Sequence, residues 1–308
     1  MRPLGCTSKT SVCFDNRGEN RRSAKGAKIM EKTWADTLQQ LQAGCGILAA
    51  MGWAERNAGN VSIRLLEEEA VSLSQEGGSI CGLPQAWTPL EVPEPALGGM
   101  AFLVTATGRY LRNVPAHPEE NAGVVRLNAE GTAWTPIWGY AAGAGPTSEL
   151  SAHLCSHRVR MLASDGTDRV ILHTHPDRLI ALTYALDLDT PALTRLLWEM
   201  HAECVVVFPD GVGYLPWMMA GTKGIADATA RLFETRRMVL WQWHGIFASG
   251  AILDEAIGLV ETAEKAAGIL LLARQAGGVV HRPDAQTLAA IAANFGQTPE
   301  PEALRDKD

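Results

Sequence analysis

The sequence predicts an α/β protein in which helices cover both faces of a mixed, largely antiparallel sheet. Short apolar runs typical of strands alternate irregularly with segments whose apolar residues recur every three or four positions, as in helices. Several of the strand-like runs are separated only by turn residues, which favours antiparallel neighbours. No internal repeat and no linker-like segment interrupts residues 30–295, so we expect a single domain over residues 30–308.

The first half of this domain is predicted to begin with a helix over residues 33–51, where apolar residues recur at spacings of three and four. Residues 66–99 are acidic, then rich in glycine and proline, and are predicted to form a long surface excursion. The other elements expected in this half are strands at residues 61–65 and 102–105 and a hairpin of residues 124–127 and 134–138.

The second half opens with Pro146-Thr147-Ser148-Glu149, which predicts the start of a helix to about Ala163 with Thr147 or Ser148 as its cap. A buried strand at residues 169–172 then leads into His173. The remaining predicted strands cover residues 204–208, 212–215, 238–241 and 246–249. The remaining predicted helices cover residues 177–186, a segment from Thr190, residues 222–236, residues 254–276 with Asp254 as the cap, and residues 284–294.

Composition is that of a globular protein: of 308 residues, 46% are hydrophobic and 20% are charged. A net charge of −7 argues against a general nucleic-acid binder, and no apolar run is long enough to predict a membrane span. Residues 1–29 are polar, basic and without an apolar run, so they are predicted to be a disordered extension. Six scattered cysteines without a close pair predict free thiols in a reducing cytoplasm.

The histidines of His173-Thr174-His175 are the strongest candidates for metal ligands. Side chains alternate along a strand, so His173 and His175 point to the same side. His244 lies in a similar setting, in a tight segment between two predicted strands. Three histidines with one open coordination position are the ligand set of a catalytic zinc, and we therefore predict a Zn²⁺ site.

Glu149 is predicted to move a proton beside this site, since it lies in the first turn of a helix where the helix dipole favours a carboxylate. Small polar loops at residues 57–60 and 105–108, together with Thr147 and Ser148, predict a phosphate cradle without a nucleotide-binding signature. His153 and His157 follow Glu149 on the same helix face. Packing is the favoured interpretation for this pair, and metal ligation is the alternative.

Four segments occur in an order that resembles the class II aldolase/adducin family, over about residues 34–295. They are residues 52–60 (GWAERNAGN), 146–150 (PTSEL), 173–175 (HTH) and 208–213 (FPDGVG).

The resemblance implies a three-layer α/β/α sandwich and a zinc-dependent, reversible aldol cleavage. L-rhamnulose 1-phosphate would give dihydroxyacetone phosphate and L-lactaldehyde. It also implies a homotetramer with zinc on His173, His175 and His244, and Glu149 as catalytic acid/base. Glu203 would assist at a neighbouring subunit's site. The phosphate-binding positions implied by the resemblance are Asn57, Asn60, Thr107, Gly108, Thr147 and Ser148.

Three alternatives remain open from the sequence. A different sugar-phosphate aldolase, such as one for fuculose 1-phosphate, or an epimerase or dehydratase on the same scaffold would use the same residues. A metal hydrolase with His-x-His at a strand end would need those histidines near the start of the chain, whereas here they fall past its midpoint. A non-catalytic role like that of adducin would not need all three histidines and Glu149.

Overall fold

A computed structural model describes residues 33–75, 86–141 and 143–305. Its centre is a nine-stranded sheet in the order β2-β5-β4-β3-β1-β6-β9-β8-β7. The strands are β1 Asn60–Arg64, β2 Thr88–Pro89, β3 Ala101–Thr105, β4 Ala122–Leu127, β5 Ala133–Gly139, β6 Val170–Thr174, β7 Val212–Leu215, β8 Met238–Trp241 and β9 Gly245–Gly250. Only β7 and β8 pair in parallel, so the prediction of a mixed, largely antiparallel sheet is confirmed.

Helices pack on both faces of this sheet. They are α1 Trp34–Ala50, α2 Glu67–Gln75, α3 Pro118–Asn121, α4 Leu150–Ala163, α5 Asp177–Ala185, α6 Thr190–Met200, α7 Cys204–Val207, α8 Lys223–Phe233, α9 Leu253–Gln275 and α10 Ala285–Asn294. Short 3₁₀ turns occur at Pro95–Leu97, Leu111–Asn113 and Pro301–Leu304. None of the helices in the described ranges combines the length and the apolarity needed to span a bilayer.

Alternation along the strands divides the core into two layers. Ile63 and Leu172 pack into a large apolar cluster with α1, α5, α6 and α9. Side chains on the opposite face pack elsewhere: Ile171, next to Leu172 in the sequence, packs with α4 and α8, and Phe102 of β3 lies with the first half of α4. Because successive side chains on a strand point to opposite faces, each strand contributes to both layers. The result is the expected three-layer α/β/α arrangement.

The prediction of a surface excursion over residues 66–99 is partly wrong. The acidic start of this segment forms α2, where Glu67, Glu68 and Glu69 occupy the first turn and their charge favours the helix N-terminus. Glu69 is fully buried, and it pairs with Arg169 at 2.6 Å and accepts a hydrogen bond from Thr37 at 2.8 Å. These partners lie far away in the sequence, so the pattern of acidic residues alone did not indicate burial.

Three local predictions are also corrected. The valine-rich segment after Glu203 is the single helical turn α7 rather than a strand, because its amides bond to carbonyls three and four residues earlier. Helix α4 begins at Leu150 with Glu149 at its cap position, and the Thr147 side chain, which lies before the cap, accepts a hydrogen bond from the Glu149 amide. Helix α9 begins at Leu253, which places Asp254 in its first turn rather than at the cap. The predicted disorder of residues 1–29 falls outside the described residues.

Candidate active site

The His-x-His pair lies at the end of β6, in the middle of the sheet. Strand β6 pairs with β1 on one side, where His173 faces Asn60, and with β9 on the other, where His173 faces Phe247. The carbonyl of Trp53 accepts hydrogen bonds from the Thr174 hydroxyl at 2.7 Å and from the His175 amide at 2.9 Å. The backbone at His173 is therefore held by strand pairing, and the backbone at His175 by the bond to Trp53.

His244 reaches the same point from the tight connection between β8 and β9. The preceding residue, Trp243, has a φ of 61°, which is uncommon for a residue other than glycine. Its amide donates to the Thr183 hydroxyl at 3.0 Å, and its indole donates to the Thr183 carbonyl at 3.2 Å. These two bonds to Thr183 hold the unusual turn that directs His244 toward His173.

The three imidazoles converge through their Nε2 atoms, with His173 Nε2 3.3 Å from His175 Nε2 and 3.4 Å from His244 Nε2. His173 Nδ1 donates to the Ile246 carbonyl at 3.1 Å, and His175 Nδ1 lies 2.9 Å from a Glu55 carboxylate oxygen. Carbonyl and carboxylate oxygens only accept, so Nδ1 carries the proton in His173 and His175, and Nε2 of both rings presents a bare lone pair. Bare lone pairs this close repel one another unless a cation lies between them.

This donor set fits a tetrahedral zinc ion. A Zn–N bond of about 2.0–2.1 Å places neighbouring nitrogens roughly 3.4 Å apart in a tetrahedron. Burial, reinforced by the other two imidazoles, holds the pKa of His173 well below its ordinary value, and burial lowers the pKa of His244 to about 4. Neutral imidazoles are the form that binds a metal, so these three residues form a candidate metal centre.

Glu55 is a part of the site that the sequence analysis did not single out. Partial burial opposes its ionisation, yet the hydrogen bond from His175, a backbone hydrogen bond and the nearby His175 and His244 rings together outweigh burial, and the pKa of the carboxyl lies below its ordinary value. A carboxylate behind a metal-binding histidine fixes the tautomer and the orientation of the ring. In the sequence, Glu55 was indicated only by its position within residues 52–60. Its hydrogen-bond partner, His175, is 120 positions away.

Loss of a residue that bonds a metal-ligating histidine usually weakens metal binding by about 10- to 100-fold. We expect Glu55→Gln to weaken zinc binding by about tenfold, because most of the Glu55 side chain is exposed. The comparison is Glu68→Gln, which changes an exposed glutamate in α2. Competition with a chromophoric chelator measures the affinity. Equal zinc affinity in the two variants would contradict a role for Glu55.

Gly245 is the second feature that the sequence analysis did not identify. A Cβ atom there would lie 2.6 Å from the Thr174 carbonyl oxygen, 2.7 Å from His175 Cδ2 and 3.0 Å from His173 Cε1. The first two contacts are too short for a real Cβ atom and the third is unusually tight, so a side chain at this position would displace the His175 ring and crowd the His173 ring.

Gly245→Ala is therefore expected to reduce zinc affinity by about tenfold or more, as the two rings lose the tetrahedral geometry. Gly258→Ala in α9 is the matched control, since a Cβ there meets no atom within 4 Å. Zinc per chain after dialysis, measured by atomic absorption, separates the two variants. Full zinc retention by Gly245→Ala would refute the steric argument.

Glu149 lies beside the imidazole cluster, with Oε2 3.8 Å from His173 Nε2. The same oxygen accepts a hydrogen bond from Asn60 Nδ2 at 2.9 Å. Burial raises the pKa of Glu149, although the hydrogen bond from Asn60 and the nearby His175 imidazole oppose the rise. A buried carboxyl with a raised pKa next to a metal-binding group is typical of a general acid/base.

A single pocket of about 130 Å³ is lined by all the predicted site residues except Glu203. Its lining residues are Asn57, Ala58, Gly59, Asn60, Ala106, Thr107, Gly108, Thr147, Ser148, Glu149, His173, His175 and His244. Two of its loops are tied together, because the Thr107 amide donates to the Gly145 carbonyl and the Thr147 amide donates to the Thr105 carbonyl. None of these lining residues is lysine or arginine, so an anion would meet hydroxyls, amides and the start of α4.

Glu203 is not among the residues lining this pocket; it is exposed and directly precedes α7. Its role toward a neighbouring subunit stays a prediction, since a single chain does not test it.

His153 and His157 are fully buried in α4, and neither belongs to the imidazole cluster. Packing was thus the right interpretation for them, with hydrogen bonds described below.

Comparison with known proteins gives three findings. Residues 39–271 match the family described as Class II Aldolase and Adducin N-terminal domain. The rhamnulose-1-phosphate aldolases of Shigella sonnei and of Escherichia coli O7:K1 are each 45% identical to this chain over 253 residues, covering 82% of it and 91% of the relative. A sugar-phosphate aldolase from Thermotoga maritima aligns with a TM-score of 0.65 and 28% identity, over 80% of this chain and 97% of that one.

Proposed function

The chain belongs to the class II aldolase and adducin family, and from that premise we propose that it catalyses the reversible cleavage of L-rhamnulose 1-phosphate. The products are dihydroxyacetone phosphate and L-lactaldehyde. The observation that carries the proposal is the convergence of three imidazoles, a buried carboxyl and three small polar loops on one pocket. The 45% identical relatives supply the choice of sugar.

We propose that Nε2 atoms of His173, His175 and His244 bind Zn²⁺. The metal, when bound, supplies Lewis-acid stabilisation for the negative charge that develops as the C3–C4 bond of the ketose breaks. A Schiff-base mechanism is not supported by the described pocket, since no lysine lines it. Lys223 lies on α8, where its exposed ammonium pairs with Asp227.

Glu149 is proposed to deliver the proton to C3 after cleavage and to remove it in the synthetic direction. Its low exposure keeps water away from the carboxyl, and its raised pKa brings it closer to the range in which a group both takes and gives a proton. The Asn60 bond fixes one carboxylate oxygen, so the carboxyl is held in one position relative to His173.

The substrate phosphate is proposed to bind between the three small polar loops. The start of α4 contributes a favourable helix dipole, and the loops contribute hydroxyl and amide groups. The residues proposed for this role are Asn57, Asn60, Thr107, Gly108, Thr147 and Ser148. Gly108 has a φ of 68°, a conformation that glycine adopts without strain and that brings the backbone close to a ligand.

The remaining proposals follow from the family resemblance and from composition. We propose a homotetramer in which Glu203 assists a neighbouring subunit's site, a cytoplasmic location, and one catalytic domain from residue 30 to the C-terminus.

A substrate panel tests the function. The zinc-loaded protein is incubated separately with L-rhamnulose 1-phosphate, L-fuculose 1-phosphate and L-ribulose 5-phosphate. Dihydroxyacetone phosphate is measured by coupled reduction for the two ketose 1-phosphates, and consumption and epimerisation of the pentulose phosphate are followed by chromatography. We expect the highest kcat/KM with L-rhamnulose 1-phosphate. A preference for L-fuculose 1-phosphate, or epimerisation of the pentulose without cleavage, would contradict the proposed substrate.

A further inference from the structure

A continuous chain of buried polar groups runs from Glu149 into the space between β1 and α4. Asn60 and Ser62 are two residues apart on the strand, and His153 and His157 are four apart on the helix, so each pair faces the other element. Asn60 Oδ1 contacts His153 Nε2, the Ser62 hydroxyl lies 2.6 Å from His153 Nδ1, and it lies 2.8 Å from His157 Nε2. All four side chains are at most 9% exposed.

The hydrogen-bond roles in this chain have one consistent assignment when Glu149 is ionised. A carboxylate only accepts, so Asn60 must turn its NH₂ group to Glu149 and its carbonyl oxygen to His153. His153 Nε2 therefore carries a proton. Burial lowers the pKa of His153 to about 3, so the ring holds one proton only, and the bare Nδ1 accepts from the Ser62 hydroxyl. His157 Nε2–H then donates to Ser62 Oγ.

The far end of this hydrogen-bond network, at His157, favours the assigned direction over the reverse. His157 Nδ1 is buried without a hydrogen-bond partner in the part of the chain that the structure describes. In the assigned direction this atom is a bare acceptor. In the reverse direction it would be a buried N–H without an acceptor, and the Asn60 carbonyl oxygen would face Glu149. Reversal therefore adds an unsatisfied donor at one end and repulsion at the other.

We propose that His153, held in one tautomer by Ser62 and His157, is a positioning residue that fixes the Asn60 amide with its NH₂ group toward Glu149. The inference rests on the proposed function, because the orientation matters for catalysis only if Glu149 transfers a proton. It adds residues that do not line the pocket and do not belong to the imidazole cluster. A buried hydrogen-bond network that fixes the orientation of an amide also fixes the position of the carboxyl that the amide bonds.

The direct test reads the tautomer of His153 in the unaltered, zinc-loaded protein by long-range ¹H–¹⁵N correlation NMR, with the signal assigned by its loss in His153→Gln. We expect protonation at Nε2 in the wild-type protein. Protonation at Nδ1 would overturn the proposal. This measurement needs no substrate, so its outcome is separate from that of the substrate panel, where absence of cleavage would contradict the proposed function itself.

Ser62→Ala, compared with Ser156→Ala, tests the consequence for catalysis. Ser156 is also a fully buried serine, and its hydroxyl has no hydrogen-bond partner within the described residues. Ser156→Ala therefore removes the same atom as Ser62→Ala but leaves the hydrogen-bond network intact. We expect Ser62→Ala to give a mixed His153 tautomer and a kcat lower by about tenfold, with KM for the ketose phosphate and zinc content within about twofold of the wild type. Ser156→Ala should keep the wild-type tautomer and kcat.

Two outcomes would overturn the positioning role. The first is an equal change of kcat in the two serine variants. The second is an increase in KM for Ser62→Ala with kcat unchanged, which would mean that the Asn60 amide serves the phosphate rather than Glu149.

Discussion

Removal of the metal is expected to lower cleavage of L-rhamnulose 1-phosphate by at least about a hundredfold, and added Zn²⁺ should restore it. The reason is that, among the residues lining the described pocket, no lysine or arginine is available to stabilise the charge left when the C3–C4 bond breaks. An imidazole that binds a metal through a bare nitrogen carries no net charge, so a divalent ion bound by three of them keeps its charge and supplies this stabilisation. The measurement is the cleavage rate after dialysis against a strong chelator, before and after addition of Zn²⁺.

Borohydride reduction in the presence of dihydroxyacetone phosphate is the control for the competing mechanism. A lysine Schiff base would be reduced to a stable adduct that mass spectrometry detects, and we expect no such adduct. Full activity in a demonstrably metal-free sample, or a borohydride adduct, would contradict the metal-dependent mechanism.

Glu149→Gln is expected to lower kcat by between about 10² and 10⁴-fold, the usual contribution of general acid–base catalysis. Glutamine has the same shape, and its carbonyl oxygen can still accept the Asn60 hydrogen bond, but it does not take a proton. Because Glu149 Oε2 is 3.8 Å from His173 Nε2, zinc content and melting temperature should change little. The measurements are single-turnover cleavage, zinc per chain and thermal unfolding.

The Glu149 prediction separates two roles for this residue. If Glu149 served only to begin α4, the glutamine variant would keep near-normal turnover and lose some stability. If it transfers a proton, turnover is lost while zinc and stability remain. Glu203→Gln is an informative comparison: its carboxyl is exposed in the single chain, so a large effect there would support a contribution across a subunit interface.

The positions of the three clustered histidines were predictable because they depend on local rules. Strand alternation places His173 and His175 on one side wherever the sequence folds as a strand, and the tight segment before Gly245 places His244 at another strand end. The small polar loops were predictable for the same reason, since they occur where strands and a helix begin or end. All of these residues line the same pocket.

Other features were not predictable, because they depend on contacts between distant parts of the chain. Glu55 and His175 are 120 positions apart, and Ser62 and His157 are 95 apart, so no periodicity relates them. The short helix α7 illustrates a different limit. Three consecutive valines favour a strand, yet this segment follows directly on the turn that ends α6 and packs into the core shared with α9, and that tertiary context outweighs the local preference.

The position of β6 within the sheet has a consequence for amide hydrogen exchange. Two of the three imidazoles extend from the end of a strand that is bonded on both edges, by β1 and by β9, and that lies far from either margin of the sheet. Amides of such a strand become accessible to solvent only when the whole domain opens, so their exchange follows the global free energy of unfolding. We therefore expect the backbone that carries these two histidines to stay assembled whether or not an ion is bound, so that an incoming ion would meet a site that needs no refolding.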